Sequence, residues 1–274
     1  MRNLFIAVMV LVTGLLSLPL RADVLVLVHG YLGSARSWDE SGVTAVLAQH
    51  GWRRAGVYVG GPAGVQLLPQ PGKSSEHIFY TVDLPSEAPV LVQVYQLNTM
   101  LDAISRDHPG EPVVLVGHSA GGVVARTALV RGQHPEVQAL ITIASPHLGT
   151  SRAEQVLDAT DIPFPLSMLT DFIGGSTYHT AMRSRSLFID LVRPQPGTLL
   201  YWLNGQRHPD IEYFSVVRGE GKAGWGDYVV PAYSQDMNHV PALHGRSSRI
   251  NVPGQHGLTP LDGSVIVNIL SDLG

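Results

Sequence analysis

The sequence predicts an α/β protein built on a doubly wound, mostly parallel sheet. Three observations point there. Short runs of apolar residues without polar alternation recur along the chain, as expected of parallel strands buried on both faces. Segments with helical spacing fall between them, so successive strands are joined by crossovers of one hand. The chain of 274 residues is long enough to bury a large core, and its 45% hydrophobic and 15% charged composition excludes a disordered state.

The elements follow in order. Val24 to Val28 is a continuous apolar run that stops at His29-Gly30, which reads as a buried strand. Ser41 to His50 carries Val43, Val46 and Leu47 at helical spacing. Gly60 to Ser75 is rich in Gly and Pro and reads as a surface excursion. Ile78 to Val82 is a further strand, and Val90 to Ile104 places Val90, Val94, Leu97, Leu101 and Ile104 on one helical face. Pro112 to Val116, Ala120 to Arg131 and Val137 to Ile143 read as strand, helix and strand. Ile211 to Val217 and Arg249 to Val252 add two strands, and Leu261 to Leu270 closes the chain as a helix. Between them, residues 151–203 read as an inserted helical lid or cap segment. No internal repeat is present.

Composition narrows the chemistry. There is no Cys, which removes disulfides, thiolate metal sites, a cysteine nucleophile and a lipidated cysteine together. A net charge of −4 offers no footprint for nucleic acid. Residues 1–22 read as a signal peptide: Arg2 supplies the positive start, Leu4 to Leu18 is nearly all apolar, and Leu20 and Ala22 precede a cut before Asp23. The expected mature chain is 23–274, exported to the periplasm or beyond, with no stable membrane span. The apolar run is shorter than the roughly 20 residues a spanning helix needs.

Chemistry enters at Gly117-His118-Ser119-Ala120-Gly121. A serine on a sharp strand-to-helix turn needs neighbours without Cβ atoms, so that the backbone can turn tightly and expose the hydroxyl. An apolar strand leads into this pentapeptide and a helical stretch leads out, the context the pattern requires. Ser119 is therefore the candidate nucleophile. An attacking serine creates an oxyanion that needs donors. The backbone N–H of Ala120 is one candidate. The second is the N–H of Tyr31, in the glycine-bearing loop His29-Gly30-Tyr31-Leu32-Gly33 after the first strand.

These two motifs, with Ile143-Ala144-Ser145-Pro146-His147-Leu148-Gly149-Thr150, make the chain resemble the α/β-hydrolase superfamily, and within it bacterial secreted lipases and esterases. The resemblance implies a Ser, Asp, His order along the sequence. It implies His256 as the base, in the loop Pro253-Gly254-Gln255-His256-Gly257-Leu258 between the last strand and the final helix. His239 and His244 compete, but both precede that strand. It implies Asp227 as the acid, in Gly226-Asp227-Tyr228-Val229-Val230-Pro231, where Tyr228 departs from a glycine common in relatives; Ser234-Gln235 matches the same region. Asp236 and Asp210 are the alternatives.

The implied activity is hydrolysis of carboxylic, acyl or lipid esters through an acyl-enzyme. Thioesterase, amidase and acyltransferase chemistry on the same residues are rivals, and a non-catalytic lipid-binding protein of the same fold is a remoter one. The partner expected is a small-molecule or lipid ester, with transient contact at a lipid interface and no nucleic acid. No cofactor and no metal are expected. Asp262 is the one acid weighed as a calcium ligand, and it reads better as a helix-start residue facing the dipole. In the insertion, Met168, Leu169, Phe172 and Ile173 form one apolar face and Leu187, Phe188, Leu191 and Val192 another. Either could be a substrate-gating lid or could pack on the sheet.

Overall fold

The structure is a computed structural model that describes residues 24–61, 64–71, 75–161, 179–219 and 226–273. The signal-peptide reading therefore lies outside the described residues, as do Met168, Leu169, Phe172 and Ile173.

Eight strands form one sheet: β1 Val24–Val28, β2 Arg53–Gly61, β3 Gly64–Pro69, β4 Ile78–Asp83, β5 Val113–His118, β6 Val137–Ile143, β7 Glu212–Arg218 and β8 Ser247–Val252. Their order is β3-β2-β4-β1-β5-β6-β7-β8, and every neighbouring pair is parallel except the edge pair β2 and β3. The helices are α1 Ser37–Glu40, α2 Val43–Gln49, α3 Val90–Asp107, α4 Ala120–Arg131, α5 Ser151–Asp161, α6 Arg185–Asp190, α7 Leu199–Asn204, α8 Ala232–Gln235 and α9 Pro260–Leu273. This is the doubly wound, mostly parallel architecture expected.

The unbroken apolar strands have a simple cause. Successive side chains of a strand point to opposite faces, so a strand covered on both sides must be apolar at every position. In β1, Val24, Val26 and Val28 join a core with α3 and α4, while Leu25 and Leu27 join a second core with Trp38, Leu47 and Ile266 of α1, α2 and α9. All five β1 residues have zero exposure, and each such side chain contributes about 1.5–3 kcal/mol of transfer free energy.

Two elements differ from the sequence reading. Arg53–Gly61 and Gly64–Pro69, the latter within the Gly60–Ser75 segment read as an excursion, pair antiparallel as strands at the sheet edge. The helix read over Ser41 to His50 begins at Val43, because Ser41 and Gly42 close the preceding helical turn.

The insertion contributes α5, α6 and α7. Leu187 and Leu191 are buried in the same core as α3 and α4, with Phe188 and Val192 partly buried against it. That apolar face packs on the body of the protein.

Candidate active site

Ser119 joins β5 to α4. Its φ of 52° and ψ of −127° lie outside the regions L-residues favour, and only a structure that constrains it from both sides holds such a residue. Its N–H donates to the Ile143 carbonyl of β6 at 2.8 Å, and its own carbonyl accepts from Gly122 N–H at 3.0 Å. A Cβ on Gly121 would lie 2.2 Å from the His29 carbonyl oxygen, so only glycine lets α4 start this close to the β1 loop. Gly30 plays the reciprocal part. A Cβ there would come within 2.8 Å of the Ser119 Cβ, so the loop bearing Tyr31 lies directly against the elbow.

The C-terminal ends of the strands bring the other sequence candidates to the same place. His256 Nε2 lies 2.8 Å from Ser119 Oγ, and His256 Nδ1 lies 2.9 Å from Asp227 Oδ2. The three residues, spread over more than half the chain, form one hydrogen-bonded series. The Asp227 side chain has no exposure, while the His256 ring is about one-fifth exposed. Burial alone would raise the Asp227 carboxyl. The hydrogen bond to His256, its charge, and the amides of Val230 and Val229 together outweigh burial and hold it below the usual range. Those amides donate to Oδ1 at 2.6 and 2.8 Å, and Gln235 Nε2 donates to Oδ2 at 3.3 Å.

The competing residues are occupied elsewhere. His239 and His244 are exposed and bond the Tyr233 and Asn238 carbonyls. Asp236 pairs with Arg249 and Asp210 with Arg246.

Neighbouring histidines are held neutral. Burial, then the charges of His256 and Arg218, push His118 down to about 3, although its hydrogen bond to the His256 carbonyl and the Asp227 charge pull the other way. Because a carbonyl can only accept, His118 Nε2 carries the proton and donates at 2.8 Å. His29 is also lowered by burial; its Nδ1–H donates to the Gly30 carbonyl and its Nε2 accepts from Leu84 N–H, which anchors the Tyr31 loop to the end of β4. The Tyr31 ring packs edge-on against Phe188 of α6 at 5.0 Å. A cleft of about 370 Å³ opens beside this loop, lined by Gly30 to Gly33, Ser37, Glu40, Ser41, His118 and Leu258.

Residues 20–159, just over half of the chain and including Ser119, match the family model of the PGAP1-like alpha/beta domain. The chain belongs to the PGAP1-like alpha/beta domain family. It is thereby a member of the α/β-hydrolase superfamily, as its motifs imply, although Asp227 and His256 lie beyond the matched stretch.

Solved structures agree on the fold of this PGAP1-like chain. The lin2722 product of Listeria innocua has a TM-score of 0.61 at 17% identity, covering 89% of this chain and 92% of that one. Mature Bacillus licheniformis lipase BlEst2 has a TM-score of 0.56 at 18% identity, with 93% and 92% covered. A lipase-esterase related protein from Clostridium acetobutylicum has a TM-score of 0.52 at 12% identity, with 92% and 94% covered. No curated protein matches the chain.

The sequence reading missed the supports around these residues. Gln235 enters it only as part of a matching segment, yet its buried side chain bonds Asp227, the Val230 carbonyl and the Arg218 amide. Arg218 has no place in that reading, although an arginine closing an apolar strand is a usable sign of a buried charge. Asp262 does begin a helix, bonding the Thr259 N–H at 2.7 Å, but its main partner is the Arg218 guanidinium. Among the described residues, no three His, Asp or Glu side chains cluster as metal ligands, and no helix is long and apolar enough to cross a membrane.

Proposed function

We propose that this protein is a serine hydrolase of carboxylic, acyl-type esters, with Ser119 as nucleophile, His256 as general base and acid, and Asp227 as the orienting acid. The observation that carries the reading is the continuous Ser119–His256–Asp227 hydrogen-bond series at a strained elbow. His256 Nε2 takes the Ser119 proton as Oγ attacks the ester carbonyl, while Asp227 fixes the tautomer through Nδ1–H and stabilises the imidazolium. The amides of Tyr31 and Ala120, the latter at the N-terminus of α4, donate to the oxyanion, each at a worth of about 3–4 kcal/mol. His256 then protonates the leaving alcohol, and water repeats the sequence on the acyl-enzyme.

The test is a chain-length series of acyl esters, with matched thioesters and amides, assayed below and above the solubility limit. Ester turnover is expected to exceed the others, and Ser119→Ala should abolish it with no change in thermal midpoint. Near-normal turnover in that variant would overturn the assignment, and faster thioester or amide turnover would move it to the rival chemistry. A rate jump at the solubility limit would mark a lipase, and its absence an esterase. We also propose export by cleavage before Asp23, motivated by the charged, apolar and small-residue order of residues 1–22. N-terminal sequencing of the mature protein should begin at Asp23, and an intact leader would refute it.

A further inference from the structure

Arg218 ends β7 between the two loops that carry Asp227 and His256. It is fully buried, as is its partner Asp262, and its guanidinium contacts both carboxylate oxygens through Nη2 at 2.5 and 2.6 Å. A buried pair of this kind is weak evidence for stability, because the desolvation of two charges offsets their attraction. Its further contacts suggest what it does instead. The same Nη2 donates to the Gly257 carbonyl at 3.3 Å, one residue beyond His256. His118 donates to the preceding carbonyl, that of His256 itself. Two consecutive carbonyls of the histidine loop are thus pinned by side-chain donors, one of them the buried Arg218, and Asp262 secures the same loop further on through the Thr259 amide.

The other end of Arg218 reaches the acid. Its backbone N–H donates to Gln235 Oε1 at 2.6 Å, and Gln235 Nε2 holds both Asp227 and the Val230 carbonyl. We propose that Arg218, set by Asp262, is a positioning residue that fixes the spacing between Asp227 and His256 by binding the supports of both loops at once. Arg218 and Asp262 touch neither the Ser119 hydroxyl nor the His256 ring, so they act through the loop backbone. The proposal rests on the hydrolase reading for its kinetic consequence, but its geometric content does not.

Three variants test it: Arg218→Met, Arg218→Lys and the double variant Arg218→Met/Asp262→Leu. The double variant removes both charges together and so avoids an orphaned buried carboxylate. Arg218→Lys keeps a cation beside Asp262, but its ammonium stops short of the Nη2 position from which Arg218 reaches both Asp262 and Gly257, so it cannot hold the two in the same geometry. Misplacing a reacting group by about 1 Å can cost on the order of a hundredfold in rate. We expect kcat for an ester to fall about tenfold or more in every folded variant, with KM within about twofold. The low-field proton resonance of His256 Nδ1–H should shift or broaden in parallel, whatever happens to the thermal midpoint. Unchanged kcat and an unchanged resonance in the folded double variant or in Arg218→Lys would overturn the proposal, as would a rise in KM alone. If the wild-type protein turns over no ester, the hydrolase reading falls, and the resonance still decides the positioning claim.

Discussion

Ser119 carries backbone strain worth about 1–3 kcal/mol, held by hydrogen bonds on both sides and by glycines that let α4 and the Tyr31 loop approach. Gly121→Ala would drive a Cβ to 2.2 Å from a backbone oxygen. Because no flexible side chain can yield there, it should lower the urea-unfolding stability by at least about 1–3 kcal/mol and suppress ester turnover. Asp227→Asn keeps the shape but can no longer fix the His256 tautomer, so kcat should fall about 10⁴-fold with folding intact. A loss of under tenfold would return the acid role to another residue. Gln235→Met removes a neutral donor to Asp227 while keeping the volume. It should reduce kcat by about tenfold, the worth of one hydrogen bond to a charged acceptor.

At the scale of elements, the crossover helices were readable because burial on one face imposes a helical period, as in Val90–Asp107. The edge pair of β2 and β3 was not. β2 contains two arginines and three glycines, and it becomes a strand because β4 offers it a parallel partner. β3 alternates part-buried Val65 and Leu67 with exposed neighbours, but its glycine and terminal proline read more readily as loop. α6 has a clearer role than its sequence suggested. Leu187 has no exposure, and Leu187→Ala should cost about 2–5 kcal/mol in denaturant unfolding. Phe188 reaches further, since its ring meets Tyr31. An aromatic pair is worth about 0.5–1.5 kcal/mol. If that energy holds the Tyr31 loop, Phe188→Ala should lower kcat about two- to tenfold with little change in KM. No change in kcat would confine Phe188 to packing.

For the whole molecule, the buried histidines set the response to acid. Burial, with the nearby Arg126 charge, holds His147 far below its ordinary value and His208 at about 4, and burial with the His256 charge holds His118 at about 3. In the unfolded chain each titrates near 6.5. Between those limits the unfolded state binds more protons than the native state, so stability is complete above about pH 6.5 and falls as pH drops toward 4. Asp227, whose folded value is depressed, adds a loss of the same sign at lower pH. Urea midpoints measured from pH 7.5 to 5 should therefore fall, with unfolding at pH 5 taking up about three protons on these rings and more on His29 and His134, which burial also lowers. A flat profile would mean these rings are charged in the fold.

Sequence alone was enough for the sheet and its crossovers, and it singled out Ser119 as the candidate nucleophile, because two-sided burial and a strained elbow each demand particular residues at adjacent positions. It also proposed Asp227 and His256, through chain order and a resemblance rather than local physics. The folded structure adds that His256 lies 2.8 Å from Ser119 and 2.9 Å from Asp227, and that Arg218, Gln235, His118 and Asp262 bond within and between the loops that carry them. Such contacts join residues tens to more than a hundred positions apart. A side chain's period along an element records which face is buried, but nothing local records which partner it finds across the ends of neighbouring strands. The elbow is written in consecutive residues; the spacing of Asp227 and His256 exists only where β5, β7 and β8 end together.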